Sequence, residues 1–213
     1  SGDISLSGDA LAATATAGVR VTGAGLSTDG GTISVTGTSA GGVGVQLGDG
    51  SGVFSIGSGG GAISINGSGV DAGVSMQGNV VTSAGGVIDV IGAASGSNGT
   101  GVDLDDAQLL AGAGDVRVFG NAAAGSGVNF TGSSAIVTTT GAIAMTGIGA
   151  TVGLALTGGT LSTDSGHFDL RGRGTGAASD GLLIGAGMSI ATDGGGIELS
   201  GEGGSGAGLW LQS

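Results

Sequence analysis

The chain has no cysteine, no proline, no tyrosine and no lysine, and only one tryptophan and one histidine in 213 residues. Without cysteine it has neither a disulfide framework nor a thiolate metal site. Without proline, a glycine-rich chain cannot be collagen-like, since collagen needs proline and a glycine at every third position. Cations are scarce: Arg20, Arg117, Arg171 and Arg173 stand against 16 Asp and Glu, a net charge of −12. Nucleic-acid phosphates require clustered Lys and Arg, so no nucleic-acid partner is expected. An acidic chain is also repelled by anionic membrane surfaces. No apolar run approaches the ~18 residues of a membrane span, so no membrane insertion is expected.

What is present is glycine, 55 residues of it, together with 39% apolar residues and a mean hydropathy of +0.45. Disordered linkers combine low hydrophobicity with high charge density, and this chain does the opposite. Coiled coils draw on Ala, Glu, Lys and Leu rather than Gly and Val. The acidic surplus is spread along the chain and reads as a solubility device.

The glycines fall into register. A pattern Gly-x-φ-x-φ-x-Gly, with φ apolar, begins at Gly2, Gly31, Gly61, Gly86, Gly114, Gly141, Gly166 and Gly195, at spacings of 25 to 30 residues. A second pattern, Gly-φ-x-φ, follows each copy after 12 to 16 residues, at Gly18, Gly44, Gly73, Gly101, Gly127, Gly153, Gly181 and Gly208. A looser apolar site comes third, at Leu26, Phe54, Val80, Leu109, Ile136, Leu161 and Ile190. Alternation φ-x-φ is the period of a half-buried strand, and Val, Ile, Leu and Thr suit a pleated surface. Three short strands per unit of roughly 27 residues predict one coil of a parallel β-helix, because a unit this small buries its apolar face only by stacking on its neighbours. Propeller blades need ~40–45 residues and four strands. The expected fold is therefore all-β: a right-handed β-solenoid of about eight coils, right-handed because crossovers between parallel strands are. Its length would be about 40 Å. Residues 1–213 form one such domain, expected to be a segment of a longer solenoid or a subunit stacking end to end into filaments.

The glycines that close the first pattern, Gly8, Gly37, Gly67, Gly92, Gly120, Gly147, Gly172 and Gly201, are expected at corners where a positive φ or a close approach of the next coil excludes a Cβ. If φ positions face inward, Ile4, Ile33, Ile63, Ile88, Val116, Ile143, Phe168 and Ile197 make one core line. Outward neighbours then include Asp89 beside Arg117, an expected ion pair between coils. A second outward line runs Arg20, Gln46, Ser75, Asp103, Asn129, Ala155, Leu183 and Trp210. Leu183 with Trp210, and Ile91 with Phe119, are outward apolar pairs and so candidate interaction surfaces.

Catalytic signals are sparse. Asp103, Asp105 and Asp106 form the densest acidic cluster. Calcium takes six or more oxygens and is a weak candidate here, the favoured reading being a solvated face with no cofactor. Gly37-Thr38-Ser39-Ala40-Gly41 matches GxSxG, but that motif needs a strand–turn–helix elbow and a partnered histidine, and His167 is the only histidine. Asp169 and Glu198 are the nearest carboxylate pair on one line, the type of pair glycoside hydrolysis uses. A carbohydrate-binding or carbohydrate-active β-helix is thus the alternative to a non-enzymatic fibre. An ice-binding solenoid would need unbroken outward threonine lines, but Gly48, Gln77 and Asp105 interrupt Thr22, Thr131 and Thr157.

The strings GVRVTGAGLSTDGGTISVTGTS, from Gly18, and GLALTGGTLSTDSGHFDLRGRG, from Gly153, resemble the repeats of filamentous-haemagglutinin-like exoproteins, and the resemblance runs from Gly2 to Leu211. Those are large bacterial surface or secreted proteins, commonly exported by two-partner secretion. The resemblance implies a secreted, non-enzymatic adhesive or structural fibre. Its expected partners are adjacent solenoid segments, copies of itself, or glycans and proteins of host or neighbouring cell surfaces.

Overall fold

The computed structural model describes residues 2–23, 25–52 and 54–212, and every regular element among them is a β-strand. All pairings are parallel, in three sheets of eight, eight and seven strands. Each sheet takes every third strand in chain order, the connectivity of a β-solenoid. The chain makes about seven turns, with the strands Ile197–Glu202 and Leu209–Leu211 continuing beyond the last third-sheet strand.

First-sheet strands are seven residues long in all but one case and alternate inward and outward, as in Ile63–Gly69. Their register is the one the repeat predicts: Ile4 over Ile33, then Ile63, Ile88, Val116, Ile143, Phe168 and Ile197. The second sheet likewise stacks Arg20, Gln46, Ser75, Asp103, Asn129, Ala155, Leu183 and Trp210. The third line differs. It runs Leu26, Ile56, Val81, Leu109, Ile136, Leu161 and Ile190. Phe54 is buried but pairs with Asn79, and Val80 lies between Ser55 and Gln108. Third-sheet strands are two to five residues long, too short for alternation alone to fix their register.

The interior is a continuous aliphatic stack with Phe54, Phe130 and Phe168 as its bulkiest members. Each such side chain, fully buried, contributes about 1.5–3 kcal/mol. The closing glycines of the first pattern are not at corners. They occupy the inward fifth position of their strands, as Gly37 does within Ile33–Ser39. None of them has a positive φ. A Cβ on any one would collide with the carbonyl oxygen of the Gly-φ-x-φ glycine of the same coil: Gly18 for Gly8, Gly44 for Gly37, Gly153 for Gly147 and Gly208 for Gly201. First and second sheets therefore meet backbone to backbone along the whole rod. The leading glycines obey a different constraint, since a Cβ on Gly61 or Gly141 would strike the carbonyl of Gly31 or Gly114, one coil away.

A line of buried hydroxyls satisfies these backbones, and the sequence carries a signal for it that the repeat pattern passed over. A Ser or Thr lies three residues before most leading glycines. Thr28 Oγ1 donates to the Gly31 carbonyl at 2.8 Å and Thr138 Oγ1 to that of Gly141 at 2.7 Å. Ser83 donates to Gly61 at 3.1 Å and Thr192 to Gly166 at 3.2 Å, each reaching a neighbouring coil. Buried polar groups must be paired, and here the pairing also links coil to coil. Ala111 stands at this position before Gly114, in a local bulge between Leu110 and Gly112.

Candidate functional site

Asp103, Asp105 and Asp106 each spend a carboxylate oxygen on the next coil. Asn129 Nδ2 donates to Asp103 Oδ1 at 2.8 Å, Thr131 Oγ1 to Asp105 Oδ1 at 3.2 Å, and the Ser133 amide to Asp106 Oδ1 at 2.6 Å. Asp106 is the only non-glycine residue with a positive φ among the described residues, at 52°, a conformation Asp tolerates better than most. Burial pushes the Asp103 carboxyl above its ordinary value; the Asn129 hydrogen bond opposes this and the neighbouring Asp105 charge adds to it. Among the described residues, no group of three or more His, Cys, Asp or Glu is placed to hold a metal ion. The cluster acts as a clamp between two coils.

Ser39, the serine of the GxSxG match, is buried and its Oγ accepts the Gly42 amide at 3.0 Å. His167 is exposed, five first-sheet strands further along, a separation of about 24 Å. The structure does not bring this serine and this histidine together.

The outer face of the first sheet holds the densest mixture of functional side chains. Ile91 and Phe119 are register partners and remain 42% and 39% exposed. They border a shallow recess of about 270 Å³ with Asp89, Arg117, Ala144 and Thr146. A second recess, about 220 Å³, continues from Thr146 past Ile148, Arg171, Arg173, Ser200 and Glu202. Together they span five consecutive strands, from Ile88–Ala94 to Ile197–Glu202. Three of the four arginines of the chain line this track.

Each of those guanidiniums already faces a carboxylate. Arg117 lies beside Asp89 in register, yet its partner is Asp115, at 3.1 Å. The reason is preorganisation: Asp115 Oδ1 accepts the Ala142 amide of the next coil at 2.9 Å, which holds Oδ2 toward Arg117. Arg171 Nε donates to Asp169 at 2.6 Å and its other end lies 3.6 Å from Glu198. Arg173 faces Glu202 at 3.4 Å. A guanidinium therefore stands beside both Asp169 and Glu198, the carboxylate pair that the sequence singled out. Leu183 and Trp210 are register partners on the second sheet, Leu183 half-buried and Trp210 46% exposed.

Comparison of the chain with protein-family models, with curated proteins and with solved structures finds no match.

Proposed function

We propose that the chain is a non-enzymatic segment of a secreted, cell-surface fibre, of the filamentous-haemagglutinin-like kind its repeats resemble. In this reading the coils are right-handed and number about eight. The rod joins further solenoid segments, or copies of itself end to end, and offers its lateral faces for attachment to neighbouring surfaces. The supporting observation is the unbroken register of the first and second sheets, whose outward positions are mostly small and polar in the early coils. Such a quasi-one-dimensional object derives stability from neighbour interfaces and presents extended surfaces.

The experiment is adhesion of beads carrying the protein, compared with beads carrying an unrelated protein of equal negative charge, to bacterial and epithelial cell layers. Alongside it, polysaccharides are incubated with the soluble protein and assayed for new reducing ends or unsaturated products. Specific adherence without glycan cleavage is expected. Cleavage would overturn the non-enzymatic assignment, and adherence no better than the control would overturn attachment.

A further inference from the structure

We infer that the track on the outer face of the first sheet, from Ile91 and Phe119 to Arg173 and Glu202, binds a neutral oligosaccharide chain lying along the solenoid axis. This rests on the attachment reading and names its ligand class. The argument begins with what the face cannot do. Four of the five strands beneath the track pair on both sides within the sheet, and only Ile197–Glu202, last in the sheet, keeps an unpaired edge. The face itself therefore offers no free backbone for strand addition, and a ligand lying on it must be held by side chains. Anionic ligands are disfavoured, because Arg117, Arg171 and Arg173 sit among Asp89, Asp115, Asp169, Glu198 and Glu202. Three cations against five carboxylates leave the track acidic.

Its positive features fit a ligand that is rich in hydroxyls and uncharged. Phe119 is the exposed phenylalanine; Phe54, Phe130 and Phe168 are in the core. With Ile91 it forms an apolar step against which the C–H face of a pyranose ring can lie, as an aromatic face accepts apolar and polarised C–H groups. Next to that step, guanidiniums and carboxylates hold one another in place and keep hydrogen-bonding capacity in reserve. Arg171 carries five N–H donors and commits one, to Asp169. Fixed donors and acceptors side by side suit hydroxyls, which need both. Rungs recur every ~4.8 Å along the axis, so the track spans about 19 Å and is matched to a linear chain of several sugars rather than to one ring.

The test uses the whole 213-residue protein and a panel of neutral hexasaccharides built on glucose, mannose, xylose and N-acetylglucosamine, with a sulfated hexasaccharide for comparison. Binding is followed by NMR of the phenylalanine and tryptophan rings and by calorimetry, for the wild type and for Phe119→Ser, Arg171→Ser and Arg20→Ser. Serine already occupies rungs of the same outward line, at Ser7 and Ser200, so the first two variants keep the fold. At least one neutral hexasaccharide is expected to shift the Phe119 ring signals and leave the three buried phenylalanines unmoved. Phe119→Ser and Arg171→Ser should each weaken it about tenfold or more, equivalent to ~1.4 kcal/mol, and Arg20→Ser should not. Absence of any Phe119 shift at millimolar sugar overturns the inference, and the ring experiment needs no variant. So does a shift confined to Trp210, or tighter, salt-sensitive binding of the sulfated sugar. Bead adherence that survives Phe119→Ser while sugar binding is lost would overturn the track as the attachment site and leave attachment standing. Sugar binding without adherence would do the reverse.

Discussion

The carbonyl oxygen of Gly153 lies where a Cβ of Gly147 would have to be. Gly153 follows Gly147 by six positions, one on a first-sheet strand and the other on a second-sheet strand of the same coil. The same opposition recurs in every coil, so glycine here is a spacing requirement between two sheets rather than a source of flexibility.

Gly147→Ala should therefore cost stability although its φ is not positive. The colliding atom is backbone and is held by the ladder on both sides, so the second sheet must shift to make room. Overpacking of this sort costs about 1–3 kcal/mol. Gly196→Ala is the contrast, with nothing within 4 Å of the added methyl and no positive φ. It should be neutral or stabilising by about 0.4–1 kcal/mol. Urea midpoints of the two variants check the difference. Equal midpoints would refute the spacing argument.

Thr138→Val removes a buried hydroxyl of nearly unchanged shape. The Gly141 carbonyl loses its 2.7 Å donor but keeps a longer one, Thr163 Oγ1 at 3.3 Å. The expected loss is about 1 kcal/mol, the net value of one hydrogen bond. Adding Thr163→Val leaves that acceptor with neither side-chain donor, so the double variant should lose more than the sum of the singles. A double-mutant cycle on unfolding free energies measures this coupling. Strict additivity would mean that the two hydroxyls act independently.

Asp103→Asn tests the clamp between coils. Burial, with Asp105 adding to it, raises the folded-state pKa of Asp103 above its ordinary value. The folded protein thus binds this proton more tightly than the unfolded chain. Its ionisation therefore costs stability fully above the folded pKa, and the cost fades as pH falls through that value toward the unfolded one. Asparagine keeps an oxygen to accept from Asn129 and has no charge to bury. The variant should unfold at higher urea than the wild type at neutral pH, and the gap should close in acid. A variant less stable at neutral pH would show that the charge itself is needed.

These residues also show how far the repeat could be read without coordinates. Two apolar positions held between two glycines specify both face and register, because a one-residue slip would turn Ile33 and Val35 to solvent. In the third sheet Phe54 and Ile56 are both apolar and both buried, so composition gave no reason to prefer Ile56 as the partner of Leu26. The Asp89–Arg117 pair failed for a different reason. Register placed the two side by side, but which carboxylate Arg117 meets depends on the amide of Ala142 that holds Asp115. Unlike the Ser and Thr that recur before the leading glycines, an Asp that accepts the amide of the next coil stands after the leading glycine at Asp3 and Asp115, too seldom to leave a periodic trace, and the recesses beside Phe119 depend on the same level of detail.

Asn79 is the sharpest such case. It is fully buried in a third-sheet strand, next to Phe54 in register. Its Nδ2 donates to the Leu47 carbonyl at 2.9 Å and its Oδ1 has no partner among the described residues. Asn79→Asp places a carboxylate in that position. If ionised, it can no longer donate to Leu47, and it adds an unpaired buried charge whose desolvation costs several kcal/mol. The side chain escapes part of this by binding a proton, because burial raises a carboxyl pKa and the protonated form can donate to Leu47 again. Stability of the variant should consequently rise as pH is lowered from neutral through the raised carboxyl pKa, while the wild type lacks this component. Urea unfolding of both proteins across that range gives the comparison. A variant whose deficit did not shrink in acid would place Asn79 in contact with solvent rather than in the core.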